Sequence, residues 1–143
     1  MKKILHVVEI KAPKAKVFEA ITTQTGLSNW WTTQVSVEAG EGGLVDFHFM
    51  EGFNPDMKVT KLAPESSVHW LCVGGHDNWL DNTFSFELMA QDDKTMLMFT
   101  QNYATELDDM VYGTYNYNWG YYLDSLRTYC ETGSGKPFPA GGN

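Results

Sequence analysis

TELDDMVYGTYNYNWGYYLDSLRTYCETG, residues Thr105 to Gly133, keeps a single hydrophobic period over its whole length. Val111, Tyr115, Trp119, Tyr122, Leu123, Leu126 and Cys130 recur at intervals of three and four, which places them along one side of an α-helix. Thr105 stands where an N-cap belongs, with Asp108 three residues on and Asp109 beside it, and carboxylates suit the partial positive charge of a helix N-terminus. Gly133 can take the left-handed backbone that closes a helix, and Pro137 forbids its continuation. The spacing predicts a helix from about Leu107 to Glu131 with one wide apolar face, and that face must be buried against something. Gly113 and Gly120 inside it each cost about 1 kcal/mol relative to Ala, which close approach of another backbone or of a ligand would offset.

The partner for that face lies upstream. From Gln34 to Tyr103 the pattern shifts to period two, with strands read at Val35 to Glu38, Leu44 to Met50, Met57 to Leu62, Val68 to Val73, Asn82 to Ala90 and Thr95 to Tyr103. Short turns such as Gly40 to Gly43, Pro64 to Ser67 and Gln91 to Lys94 join them, so the sheet is antiparallel. Another strand, Ile4 to Ile10, opens the chain with Ile4, His6, Val8 and Ile10 on one face and Leu5, Val7 and Glu9 on the other. Ala12-Pro13 ends it and starts a short helix carrying Val17, Phe18 and Ile21, which Gly26 separates from a second short helical turn, Leu27 to Trp31. The fold class is α+β. Residues 1–133 read as a single domain without internal repeats, and 134–143, rich in Gly and Pro, as a loose tail.

Composition narrows the function. The chain has 143 residues, 43% hydrophobic and 14% aromatic, with a formal net charge of −8 and a pI near 4.8. Nucleic-acid binding relies on clustered Lys and Arg, and the lysines near the start are too dispersed for it. No stretch approaches the roughly 20 apolar residues of a membrane helix, and Met1 to Ile10 alternates too strongly for a signal-peptide core, so no membrane partner and a cytoplasmic location are expected. Cys72 and Cys130 fall in an apolar strand and an apolar helix, where reduced, buried thiols are expected rather than a bridge. The histidines at 6, 48, 69 and 76 show no metal-ligand spacing, so no metal is expected.

One strand, two short helices, a run of antiparallel strands and a long last helix is the order of the helix-grip fold, in which a curved sheet wraps that helix. Ala12-Pro13 leading into Val17-Phe18-Glu19-Ala20-Ile21-Thr22, then Leu27-Ser28-Asn29-Trp30-Trp31, Gly42-Gly43 before Phe47, and Trp119, Leu123, Leu126 and Tyr129 before Glu131-Thr132-Gly133 and Pro137 together give the local detail. These residues resemble the Hsp90-ATPase-activator-homologue branch of the START-like (SRPBCC) superfamily, whose Bet v 1-like fold they share over nearly the whole chain. The resemblance implies a cavity between sheet and long helix, used by various relatives to hold lipids, hormones or polyketides and by a few to cyclise or dehydrate them. A eukaryotic co-chaperone of this kind has an extra N-terminal domain that takes much of the Hsp90 contact. This chain begins at the first strand of the START-like domain, which counts against a chaperone partner.

Eight aromatic residues, Trp31, Phe47, Phe49, Trp70, Phe86, Tyr115, Trp119 and Tyr122, are the candidate lining of a ligand pocket, since such pockets are mostly apolar with a few placed polar groups. Plain core packing accounts for the same periodicity, but Tyr and Trp carry a polar tip that needs a partner when buried, and several on one helix suit a partly wet cavity. His48 and His69 alternate with inward aromatic residues and read as solvated. His76-Asp77, within Gly74-Gly75-His76-Asp77-Asn78, reads as turn chemistry. No Gly-x-Ser-x-Gly elbow, phosphate loop or dinucleotide fingerprint is present, so neither catalytic residues nor a cofactor are assigned. The first expectation is a binding module for a small hydrophobic molecule. A cyclase or dehydratase using the same cavity and a chaperone-interacting protein are the alternatives, and a homodimer is compatible with each.

Overall fold

A computed structural model describes residues 1–139. In chain order it contains strand β1 (Lys3–Ile10), helices α1 (Lys14–Thr22) and α2 (Gln24–Trp30), strands β2 (Gln34–Val37), β3 (Leu44–His48), β4 (Asp56–Ala63), β5 (Ser67–Gly74), β6 (Thr83–Gln91) and β7 (Lys94–Asn102), and helix α3 (Asp109–Thr132). The seven strands form one antiparallel sheet in the order β1-β7-β6-β5-β4-β3-β2. Shifts of register between β4 and β5, at Asp56/Met57 and Val59/Lys61, are the irregularities that bend a sheet. The curved sheet holding a long helix is the helix-grip architecture.

Alternation sets which side faces the helix. Along β1, Ile4 and Ile10 are buried and His6 and Val8 partly so, while Leu5, Val7 and Glu9 face out. Phe84, Phe86 and Leu88 of β6 and Leu97 and Phe99 of β7 point the same way and form the core with Tyr115, Trp119, Leu123, Leu126 and Cys130 of α3. Met98 faces outward, exposed on the convex side with Leu5, Val7 and Met89.

Helix α3 starts later than its sequence suggests. Asp108, not Thr105, is the N-cap: its Oδ2 accepts hydrogen bonds from the backbone N–H of Met110 (3.1 Å) and Val111 (3.3 Å). A carboxylate reaching two free N–H groups satisfies more of the helix start than a hydroxyl can. Residues before it are tied to β1 instead, through Tyr103 N–H on the Lys2 carbonyl (3.1 Å) and Lys2 Nζ on the Leu107 carbonyl (2.9 Å). Gly133, with φ of 87°, closes the helix as expected. The two interior glycines do not mark close approaches. A Cβ on Gly113 would meet open space, and one on Gly120 only the His6 ring at 3.6 Å.

The segment after Gly133, whose composition suggests a loose tail, makes specific contacts as far as Phe138. Lys136 N–H donates to Ser125 Oγ (2.7 Å), which in turn donates to the Trp30 carbonyl (2.9 Å), so one buried hydroxyl joins α3, α2 and the tail. Phe138 N–H donates to the Trp31 carbonyl (2.8 Å), and Thr33 N–H to the Phe138 carbonyl (3.2 Å). The remainder of the tail, 140–143, lies outside the described residues.

Leu126 is fully buried in this core. Leu126→Ala should lower stability by about 2 to 5 kcal/mol, read as a shift of the denaturation midpoint. An unchanged midpoint would contradict the packing of α3 on the sheet.

Candidate functional site

Helix α3 lies asymmetrically on the sheet. Its first half is fastened to β1 by the Tyr112 hydroxyl on the Lys3 carbonyl (2.7 Å), His6 Nε2 to Asn116 Oδ1 (3.0 Å) and the Lys2–Asp109 ion pair (2.9 Å). Its second half is fastened to α2 through Ser125 and to the end of β1 through Glu131, which accepts from Lys11 N–H (2.8 Å). On the side facing the β3–β4 and β5–β6 loops, Asn78 Nδ2 donates to the Tyr115 hydroxyl (3.1 Å), and a cavity of about 810 Å³ opens beside that contact. That volume falls within the usual range for small-molecule sites.

Trp31 and Trp119 form the floor. Their ring centroids lie 4.9 Å apart, and Trp119 Nε1–H donates to Gln101 Oε1 (2.8 Å), whose amide donates to Asn82 Oδ1 (2.9 Å). This buried chain holds the indole at a fixed angle over the sheet. Phe49, Tyr115, Tyr122 and Phe138 form walls, with Met50, Phe53 and Pro55 from the β3–β4 loop and His76, Asn78 and Trp79 from the β5–β6 loop. Tyr117, 76% exposed, and Tyr121 stand at the rim.

Gly75 sets how the two loops meet. Its φ is 80°, its carbonyl accepts Asn54 N–H (2.9 Å), and a Cβ there would fall 1.8 Å from the Asn54 oxygen, so only glycine fits. The next residue, His76, is thereby turned inward and is only 5% exposed. Its ring stacks on Trp79 at 4.3 Å with 4° between planes, and the edges of Phe53 and Tyr115 close around it at 5.2 and 5.5 Å. Burial lowers its pKa to about 4, against weaker opposing effects of its own backbone carbonyl and Asp77. The imidazole is therefore neutral at neutral pH. Apart from histidine, no residue with a basic or acidic side chain lines the cavity among the described residues.

Five of the eight candidate residues, Trp31, Phe49, Tyr115, Trp119 and Tyr122, line this cavity. The other three do not. Phe47, Trp70 and Phe86 point inward but are buried behind the floor, with Trp31 covering Phe47 (4.4 Å) and Trp70 (6.1 Å), and Phe86 packed on Trp70 (4.9 Å). Trp70 instead borders a smaller void of about 190 Å³ beneath α1 and α2. His76 and Trp79 are buried lining residues that the sequence reading missed, as it missed Phe53 and Phe138. Glycine-rich flanks read as a turn, yet a Trp in an eight-residue connection, 75–82, was a signal of burial.

The remaining candidates play no part in the cavity. His48 is exposed, and His69 Nε2 meets Glu87 (2.6 Å) away from the cavity. Cys72 and Cys130 are buried and unbridged, and burial pushes the Cys130 thiol up to about 12, so neither forms a thiolate readily. Among the described residues no group of three or more His, Cys, Asp or Glu could hold a metal ion, and no helix is long and apolar enough to cross a membrane.

The burial of His76 makes stability depend on pH. An unfolded chain takes up the proton as pH falls through the ordinary 6.5, and the folded chain only near 4. Stability contributed by the neutral ring is complete above about 6.5 and is lost as pH falls to about 4, by roughly 3 kcal/mol in all. His76→Phe, which keeps the stacking, should flatten the denaturation midpoint between pH 7 and 4.5 relative to wild type. An equal slope in both proteins would show that His76 is not buried as described.

Comparison with known proteins agrees with this architecture. The solution structure of the Aha1 dimer from Colwellia psychrerythraea is 36% identical, covers 94% of this chain and 100% of its own, and superposes with a TM-score of 0.83. Proteins from Staphylococcus saprophyticus (15% identity, TM-score 0.77, 95% of this chain and 97% of that one) and Bacillus halodurans (18%, 0.75, 92% and 98%) share the fold. No curated protein matches the sequence. The family model for activator of Hsp90 ATPase homolog 1-like protein matches residues 11–131, from the end of β1 to the last turn of α3. This chain belongs to that family.

Proposed function

We propose that the protein binds a small hydrophobic molecule, without transforming it, in the cavity between α3 and the two loops. The observation that carries this reading is a space of about 810 Å³ whose floor and walls are mostly aromatic and which, among the described residues, no acidic or basic side chain other than histidine lines. Rings packed into a solid core would leave no such space. A catalytic use of the same cavity would need a titratable group matched to working pH. His76 is the histidine that faces it, and with its pKa near 4 it is a poor proton acceptor at pH 7. The same depression keeps it neutral, which suits binding.

An apolar fluorescent probe should bind saturably at one site per chain. Asn118→Trp, which adds bulk at an exposed position lining the cavity, should weaken that probe by roughly tenfold while leaving stability within about 0.5 kcal/mol, as is usual for surface changes. No saturable binding, or equal affinity in the variant, would count against the cavity as the site. The Colwellia relative is a dimer, and we propose the same assembly here. Sedimentation equilibrium should give twice the 16.2 kDa chain mass, and a monomer at high concentration would refute it.

A further inference from the structure

We infer that the cavity selects an uncharged, flat aromatic molecule bearing a hydroxyl group, and that His76 and Tyr115 hold that hydroxyl. This inference rests on the binding reading above and adds the chemistry of the ligand.

The absence of charge follows from the lining. A carboxylate or ammonium entering the cavity would lose its hydration and meet no counter-ion among the described lining residues. The net charge of −8 adds a general repulsion of anions. Flatness follows from the ring planes. Trp79 lies within 22° of Trp31, 16° of Trp119 and 4° of His76, so near-parallel rings border the cavity, and a further planar ring extends that stack at the least loss of contact.

The hydroxyl follows from the two polar groups beside those faces. His76 Nδ1 is sealed from solvent without a hydrogen-bond partner. A neutral ring carries one proton, and with that proton on the sealed Nδ1 the other nitrogen, Nε2, is an acceptor. Nε2 makes no hydrogen bond among the described residues and is not one of the sealed atoms, so a ligand in the cavity can reach it. Tyr115 offers the converse. Its oxygen accepts from Asn78 Nδ2 (3.1 Å), so its own proton is free to donate. A hydroxyl donates once and accepts as well, and therefore satisfies both. An ether can only accept, and a hydrocarbon does neither. If His76 served only to anchor its loop by stacking, Phe would do the same without the cost of sealing Nδ1 from solvent.

Four two-ring probes test this by calorimetry: naphthalene, 2-methoxynaphthalene, 2-naphthol and 2-naphthoate. 2-Naphthol should bind wild-type protein about three- to tenfold more tightly than naphthalene or the methyl ether, the range expected of a hydrogen bond or two, and 2-naphthoate most weakly. In His76→Phe and Tyr115→Phe the ratio of 2-naphthol to naphthalene affinity should shrink toward unity, whatever happens to the absolute affinity of either probe. Equal binding of 2-naphthol, its methyl ether and naphthalene to wild type overturns the inference and leaves the apolar cavity standing, a comparison that needs no variant. Retention of the full preference in His76→Phe overturns the assigned role of His76. Failure of all four probes to bind overturns the cavity reading and this inference with it.

Discussion

The contact of Trp31 with Trp119 is the constraint on which the rest of the molecule turns. Trp31 ends α2 and Trp119 sits midway along α3, so their meeting at 4.9 Å joins the two helical parts of the chain above the centre of the sheet. Neither ring is free to tilt. Trp31 is wedged among Trp30, Phe47, Phe49, Trp70 and Trp79, and Trp119 is pinned by Gln101. Beneath these two rings lie the packed side chains of Phe47, Trp70 and Phe86, and above them the interior is open. The pair is at once the roof of the core and the floor of the cavity.

Why the cavity is not filled follows from how α3 is tied down. Its polar fastenings run to β1, to α2, to the tail and, through Trp119, to β7, while the β5–β6 loop reaches it through Asn78 on Tyr115. The flank bordering the cavity looks toward loops held to each other by the Asn54 N–H on the Gly75 carbonyl (2.9 Å), a contact that leaves room only for glycine at position 75. Among the described residues His76 Nδ1, Trp79 Nε1 and the Tyr103 hydroxyl are sealed without a hydrogen-bond partner, and His76 and Trp79 border the cavity. Each such atom costs on the order of 1 to 3 kcal/mol, and a protein commonly tolerates that cost near a site of function. Burial accordingly raises the Tyr103 hydroxyl's pKa well above its ordinary value.

Family membership and function are separate conclusions. The match over residues 11–131 establishes the family, and the Colwellia structure shows that the architecture is maintained at 36% identity. A fold of this kind hosts many activities, so the ligand chemistry has to come from the side chains of this chain. Here those side chains are aromatic walls, a neutral imidazole and a tyrosine hydroxyl.

The sequence by itself determined the elements and their inward faces. The period of α3, the alternation along β1 and β6, and the stop at Gly133 are local properties, because a helix or strand displays its apolar residues at the period of its own backbone. Trp31, Tyr115 and Trp119 were legible as cavity candidates for the same reason. Tertiary structure decided what periodicity does not contain: that Phe47, Trp70 and Phe86 are covered by other rings, that Asp108 rather than Thr105 caps α3, and that the tail returns to place Phe138 in the wall. It also decided that the turn holding His76 folds inward. Whether an inward residue ends under another ring or beside an open space depends on contacts between residues far apart in the chain, and no local pattern encodes those distances.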